Sequence, residues 1–359
     1  MSASLRAAAH GPARVTVAGV NFDPITEADA VDRVRAAMRA GIGGRIVTPN
    51  VDILRLAARD EALRAYINAA DLVVADGMPV VWASRLHHGR DGRLPERVAG
   101  ADLIWSLSRA CAIDRRRVFL IGGVPPTPAP RPADIPAELP DNGLIITAQA
   151  YAAGPATEAA GRVEGTAGGP DDAPGPAHGA VSLGQDAALT AQDAAGIGHD
   201  AAGIGHDADA ARDWRAAREL PGGAGRAAAV LTTRYPGLLV AGAVSPPFGF
   251  LDDPARLERL RAAVIAARPD LVFVGLGFAK QERVIELLTP HLPQAWFLGC
   301  GAAIDFVDGD QRRAPEWMRR RGLEWAHRLA REPGRLAGRY LRHDMPYALG
   351  MLARAATRR

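Results

Sequence analysis

The sequence predicts an α/β protein: a parallel sheet with helices on both faces, followed by a helical C-terminal appendage. Three observations carry this. Short apolar runs alternate with helix-like runs from about residue 13 to residue 123. The alternation stops in a stretch poor in large apolar residues and resumes at Arg226. After Asp310 the composition changes to arginine interleaved with tryptophan, leucine and tyrosine. Alternation of this kind is what βαβ units require, because parallel neighbours need a crossover long enough to hold a helix.

Taken in order, residues 14–20 read as a strand and 26–40 as a helix with Thr26 as its N-cap. Residues 44–48 form a short apolar strand. A helix is expected over 51–69, where Ile53, Leu56, Leu63 and Ile67 recur at roughly helical spacing. Residues 72–75 read as a buried strand, 100–112 as a helix and 117–121 as a strand ending in Gly122-Gly123. Past the break, 226–235 reads as a helix, 238–241 as a strand, 254–267 as a helix, 270–275 (DLVFVG) as a strand, 281–288 as a helix and 295–298 as a strand. In the tail, Trp317, Trp325, Leu329, Leu336 and Tyr340 fit two short amphipathic helices broken near Pro333. The expected organisation is a Rossmann-like catalytic domain over 13–123 and 226–310, an insertion over 124–225 and an appendage over 311–359.

The insertion is rich in Ala, Gly, Pro and Asp, and AAGIGHD occurs twice in tandem at 194–200 and 201–207. Such a segment buries too little apolar surface to offset its ordering entropy, so disorder is expected. Its histidines, His199 and His206, read as products of the duplication rather than a metal tract.

Composition narrows the function classes. No apolar run reaches 18 residues, so no helix is expected to span a bilayer, and the first residues lack the apolar core of a secretory signal. A cytoplasmic protein is expected. Cys111 and Cys300 belong to no CxxC or Cys/His pattern and read as core residues. The 359 residues carry a net charge of +3, but from Gln311 onward 13 arginines face 4 acidic residues. A basic end suggests a polyanionic partner: a membrane surface, a diphosphate or a nucleic acid.

Ligands of open α/β sheets sit beyond the carboxyl ends of the strands. Four polar clusters fall at such ends: Thr48-Pro49-Asn50, Asp76-Gly77, residues 277–281 and residues 301–305. Asp76 suits a general base and equally an Asp-Gly turn. Arg97 suits a phosphate clamp or a solvated surface site. Gln281 and Asp305 suit hydrogen bonds to sugar or ribose hydroxyls, or helix-start caps. Gly275-Leu-Gly277 fails as a dinucleotide fingerprint because Lys280 stands where its last glycine belongs, and no Walker A motif occurs. Of two DxD patterns, Asp207-Ala-Asp209 lies in the insertion and Asp308-Gly-Asp310 reads as a turn, so no catalytic metal and no cofactor are expected.

Six separated blocks carry a resemblance. They are VTPNVDILRLAARDEALRAYINAADLVVADGMPVV, LPERVAGADLIW, VFLIGG, DLVFVGLGFAKQE, LGCGAAIDF and APEWMRRRGLEWAHRLAREPGRLAGRYL. In this order they resemble the WecG/TagA/CpsF glycosyltransferases (glycosyltransferase family 26). The resemblance implies an inverting, metal-independent transferase that uses a UDP-sugar donor and a polyprenyl-diphosphate-linked sugar acceptor. The sugar would be of the N-acetylmannosamine, N-acetylmannosaminuronate, glucose or glucuronate type, used in polysaccharide or teichoic acid synthesis. The family's base falls on Asp76. Its pocket residues fall on Thr48, Asn50, Arg97, Gln281 and Asp305, and its appendage arginines on Arg328 and Arg335. It also implies peripheral association of the tail with the inner face of the cell membrane and no role for nucleic acid, and it leaves a homo-oligomer open. The insertion is the main departure from the pattern. Two other classes stay open: a nucleic-acid binder using the basic tail, and a nucleotide-cofactor oxidoreductase on the same sheet.

Overall fold

Both faces of the main sheet are apolar, which forces helices onto each. In a computed structural model that describes residues 13–87, 93–125 and 222–357, the elements are β1 (Val15–Val17), β2 (Val20–Phe22), α1 (Glu27–Arg39), β3 (Gly44–Val47), α2 (Val51–Ala57), α3 (Glu61–Asn68), β4 (Leu72–Val73), α4 (Met78–His87), α5 (Gly100–Ile113) and β5 (Arg117–Gly122). There follow α6 (Gly223–Arg234), β6 (Leu239–Val244), α7 (Pro254–Ala267), β7 (Leu271–Gly275), α8 (Lys280–Leu288), β8 (Trp296–Gly299) and α9 (Ala303–Val307). The tail forms α10 (Glu316–Arg320), α11 (Glu324–Arg331), α12 (Pro333–Arg339), a π-helical turn (Tyr340–Asp344) and α13 (Met345–Thr357).

The main sheet has six strands in the order β4-β3-β8-β7-β5-β6, every described pairing parallel. Side chains alternate across it. Val118 and Leu120 of β5 enter a core with α1, α5 and α6, while Phe119 and Ile121 enter another with α7 and α8. This two-period burial is the reason strands such as LVFVG are apolar at every position. From β3 the chain goes to β4 on one side and then to β5 on the other. That reversal opens a crevice at the carboxyl edge.

The α/β sheet and the appendage helices agree with expectation, and four local readings are corrected. Residues 14–20 are not one strand but most of an antiparallel hairpin, because Ala18 and Gly19 both take positive φ (51° and 83°), as a tight two-residue turn requires. The helix expected over 51–69 is two, because the Asp60 carboxylate caps Leu63 N–H at 3.0 Å and starts α3. Helix α4, unforeseen, follows Asp76-Gly77 directly. The tail has more helical segments than two, and α13 packs back on α4, burying Met351 and Ala355. Thr26 caps α1 as expected, in a reciprocal box with Asp29. Cys111 and Cys300 are buried and free. The repeat and nearly all of 124–225 lie outside the described residues.

Candidate active site

Every strand of the main sheet sends its carboxyl end to one cleft of about 1280 Å³. Thr48 and Asn50 follow β3, Asp76 follows β4, Gly123 follows β5, Phe248 follows β6, Gly277 follows β7 and Gly301 follows β8. Arg313, Glu324, Trp325 and Arg328 close it from the tail. The fold brings six of the expected site residues (Thr48, Asn50, Asp76, Arg97, Gln281 and Asp305) to this one cavity with Arg328. Arg335 lies on α12, but its side chain is outside the described residues.

Asp76 is placed by backbone geometry. Its N–H donates to Pro49 O at 3.1 Å, and Val98 N–H donates to Ala75 O at 2.9 Å. The loops after β3 and before α5 therefore fix the carboxylate from both sides. Its side chain is 29% exposed, and burial pushes its pKa up to about 6 against the pull of Arg97. Asp76-Gly77 is thus no surface turn.

Arg97 is not a free phosphate clamp. Its Nη1 lies 3.3 Å from Asp76 Oδ1 and 3.4 Å from Glu324 Oε2, and its Nη2 donates to Asp102 Oδ2 at 3.0 Å. Asp102, in the first turn of α5, also receives both terminal nitrogens of Arg313, at 2.6 and 2.9 Å, and Arg319 at 3.2 Å. Arg313 Nε reaches Glu324 Oε1 at 3.3 Å. Three carboxylates and three guanidiniums thus interlock, half of them from the tail. Burial raises the Asp102 pKa, but its arginine partners outweigh that and hold it below the usual carboxylate range. Asp102, Arg313, Arg319 and Glu324 escaped the sequence reading. The signal was there in Glu324, one of few acidic residues in an arginine-rich tail.

The remaining pocket residues divide into engaged and free. Asn50 caps α2, accepting from Ile53 N–H at 3.0 Å. Thr48 is buried. Gln281 is buried and ties two loops together: its Oε1 accepts from Gly301 N–H at 3.0 Å, and its Nε2 donates to Glu282 at 2.9 Å. Asp305 does not cap α9. Its Oδ1 is buried with no partner among the described residues. Burial and the neighbouring Asp308 and Asp310 push its pKa up to about 6. Asp308 does form the expected turn, accepting from Asp310 N–H at 2.8 Å, and it pairs with Arg226 at 2.7 Å. The Arg328 guanidinium stands 5.7 Å from the centre of the Phe306 ring.

The tail is seated by shape as well as charge. Gly322, between α10 and α11, has φ of 72°, and a Cβ there would stand 2.6 Å from Met78 Cβ. Only glycine permits both that backbone and that approach.

Fold and site together define a doubly wound α/β protein with a ligand cleft at the carboxyl edge of its sheet. A partly buried carboxylate and clustered guanidiniums stand in that cleft. The chain belongs to the glycosyl transferase WecG/TagA/CpsF family, whose model matches residues 15–160 and 217–359. Three relatives are each an N-acetylglucosaminyldiphosphoundecaprenol N-acetyl-beta-D-mannosaminyltransferase. The one from Bacillus subtilis (strain 168) is 34% identical over 105 residues, which is 29% of this chain and 39% of that protein. The one from Bacillus spizizenii is 37% identical over 102 residues, 28% and 37% of the two chains. The one from Staphylococcus aureus (strain NCTC 8325 / PS 47) is 22% identical over 320 residues, 88% and 84% of the two chains. The matched stretch thus spans under two fifths of each Bacillus relative and most of the Staphylococcus one.

Proposed function

We propose that this chain is an inverting glycosyltransferase that moves a sugar from a UDP-sugar to a sugar carried on polyprenyl diphosphate. The carrying observation is Asp76, a largely buried carboxylate at the meeting point of the sheet edge, the α5 loop and the tail. Asp76 takes the proton of an acceptor hydroxyl, and the freed oxygen attacks the anomeric carbon. The bond to the donor's β-phosphate oxygen breaks on the opposite face, and its electron pair leaves with UDP. One in-line displacement inverts the centre. Arg328 and Arg335 neutralise the departing diphosphate in place of a metal. Thr48, Asn50 and Gln281 shape the substrate side, and the unfilled Asp305 Oδ1 suits a hydroxyl or amide donor on the ligand. We read 13–123 with 226–310 as the catalytic unit and 311–359 as the appendage that completes it. The family model leaves 161–216 unmatched, inside the segment read as an insertion.

The relatives' shared activity, as N-acetylglucosaminyldiphosphoundecaprenol N-acetyl-beta-D-mannosaminyltransferases, favours an N-acetylmannosaminyl group and an N-acetylglucosaminyl acceptor among the sugars the family uses. The cleft also fits a lipid-linked acceptor: beyond the carboxylates its walls turn apolar at Met78, Trp82, Met345, Leu349 and Leu352. The test is UDP release from a panel of UDP-sugars with a polyprenyl-diphosphate-linked monosaccharide, run with EDTA. Acceptor-dependent release from one donor, insensitive to EDTA, is the expected result. No release from any donor, with no UDP binding by calorimetry, would end the reading. In the same assay kcat/KM should fall as pH drops through about 6, because Asp76 must be ionised to act and burial raises its pKa to about 6. An acid limb near pH 4 would dissociate the reaction from this carboxylate.

No described helix is long and apolar enough to cross a membrane. We propose instead peripheral binding at the inner face through the tail. Trp317 is 55% exposed and Leu349 63% exposed, and tail arginines attract anionic headgroups at about 1 kcal/mol each. Full-length protein should co-sediment with anionic liposomes and far less with neutral ones. Equal recovery with both would remove the electrostatic part of this reading.

A further inference from the structure

The guanidinium beside the base is shared, and the second owner comes from the tail. Arg97 Nη1 stands 3.3 Å from Asp76 Oδ1 and 3.4 Å from Glu324 Oε2. Both distances exceed a strong charge-assisted bond, while Arg97 Nη2 sits closer to Asp102, at 3.0 Å. Arg97 is thereby divided among three carboxylates, and Asp76 holds none of its nitrogens tightly. Glu324 belongs to α11, 227 residues from Arg97 in sequence, and is held in place by Arg313 Nε at 3.3 Å.

We propose that Glu324 is a positioning residue: by taking a share of Arg97, it keeps that guanidinium from neutralising Asp76, so the base reaches full strength only when the tail is docked. This rests on Asp76 as the base. Among the described residues the charged groups interlocked with Asp76 are Arg97 before α5, which touches it, and, linked through Arg97, Asp102 on α5, Arg313 before α10, Arg319 on α10 and Glu324 on α11. In formal charge these five with Asp76 sum to zero. Withdrawing Glu324 leaves one positive charge in excess around Asp76, and Arg97 is then free to close on its carboxylate. An adjacent positive charge stabilises the ionised form and weakens the base. Withdrawing Arg313 acts in the opposite sense, because it removes a cation and releases Glu324 toward Arg97. Among the groups acting on Asp76, Glu324 and Asp102 raise its pKa, whereas Arg97 and Arg313 lower it.

The direct test is a carboxyl titration by NMR on full-length protein labelled at aspartate with ¹³C. The Asp76 resonance is identified as the one missing from Asp76→Asn. In Glu324→Gln its midpoint should move down by about one pH unit, and in Arg313→Gln it should move up. The titration needs no substrate, so it separates failure of this inference from failure of the transferase reading. With an active donor, the ratio of Glu324→Gln to parent kcat/KM should climb as pH falls from 7 to 5, which a merely loosened tail would not produce. Melting curves establish that each variant is folded, and either variant alone suffices for the sign. A midpoint unmoved in a folded Glu324→Gln, or both variants shifting it the same way, would overturn the proposal.

Discussion

Asp76→Asn should lose about a thousandfold in turnover while binding UDP within about twofold of the parent, and it should also melt higher. The first effect follows from removing the only function an amide cannot copy, proton acceptance, which is worth about 10²–10⁴-fold in general-base catalysis. Nucleotide affinity is spared because the proposed diphosphate contacts are arginines, none of them replaced. The gain in stability follows from linkage. Folding raises the Asp76 pKa from an ordinary carboxylate value to about 6. The contribution of this group is therefore most favourable below pH 4 and is lost as pH rises to 6. At pH 7 the parent carries an ionised carboxylate the fold disfavours, and asparagine removes that penalty. Allowing for the 29% of the side chain that meets solvent, the gain is roughly 1 kcal/mol. Arg97 keeps Asp102 and Glu324 and is not orphaned. Turnover within tenfold of the parent would remove Asp76 from the role of base, whatever happens to the melting point.

The sheet was legible because its strands are buried on two faces. A run such as DLVFVG has no other comfortable place in a soluble protein, and polar residues directly after such runs mark the cleft edge. Hence the sequence itself places Thr48, Asn50, Asp76, Gln281 and Asp305 on one rim. The hairpin was hidden because Ala18 takes a positive φ (51°) that alanine does not advertise. Helix α4 was hidden by its start, Met78-Pro79 immediately after Asp-Gly, which reads as loop chemistry. The interlocked carboxylates were hidden for a deeper reason. Asp102 meets Arg313 across 211 positions and Arg97 meets Glu324 across 227. Local spacing carries no record of a pairing made by tertiary docking. Sequence therefore suggested a free Arg97 for phosphate, whereas the fold commits it to carboxylates.

Asp102→Ala should release the tail from the cleft, and this is the second large effect. Asp102 receives Arg97, Arg313 and Arg319 at 2.6 to 3.2 Å, and no neighbouring residue can substitute for it, since Glu324 is already bound to two of the three. Stripping the shared partner from partly buried guanidiniums is costly because the charges stay while the compensation goes, by about 3 kcal/mol for a buried pair and roughly 2 kcal/mol here, where the side chain is 22% exposed. The main sheet has its own cores and does not depend on this cluster, so the loss should appear as local opening rather than global unfolding. Amide exchange should accelerate in α10 and α11 while β7 and β8 stay protected. The effect also has a pH signature. Its arginine partners hold the Asp102 pKa below the usual carboxylate range, so the contribution is fully present above about pH 4 and fades as pH falls through the lowered value. Parent and variant should therefore converge in tail exchange at low pH and diverge at neutral pH. Tail exchange unchanged at pH 7 would mean that the tail's other contacts, Arg55 with Asp344 at 2.9 Å, Arg97 with Glu324 at 3.4 Å, Gly322 on Met78 and α13 on α4, hold it in place without Asp102.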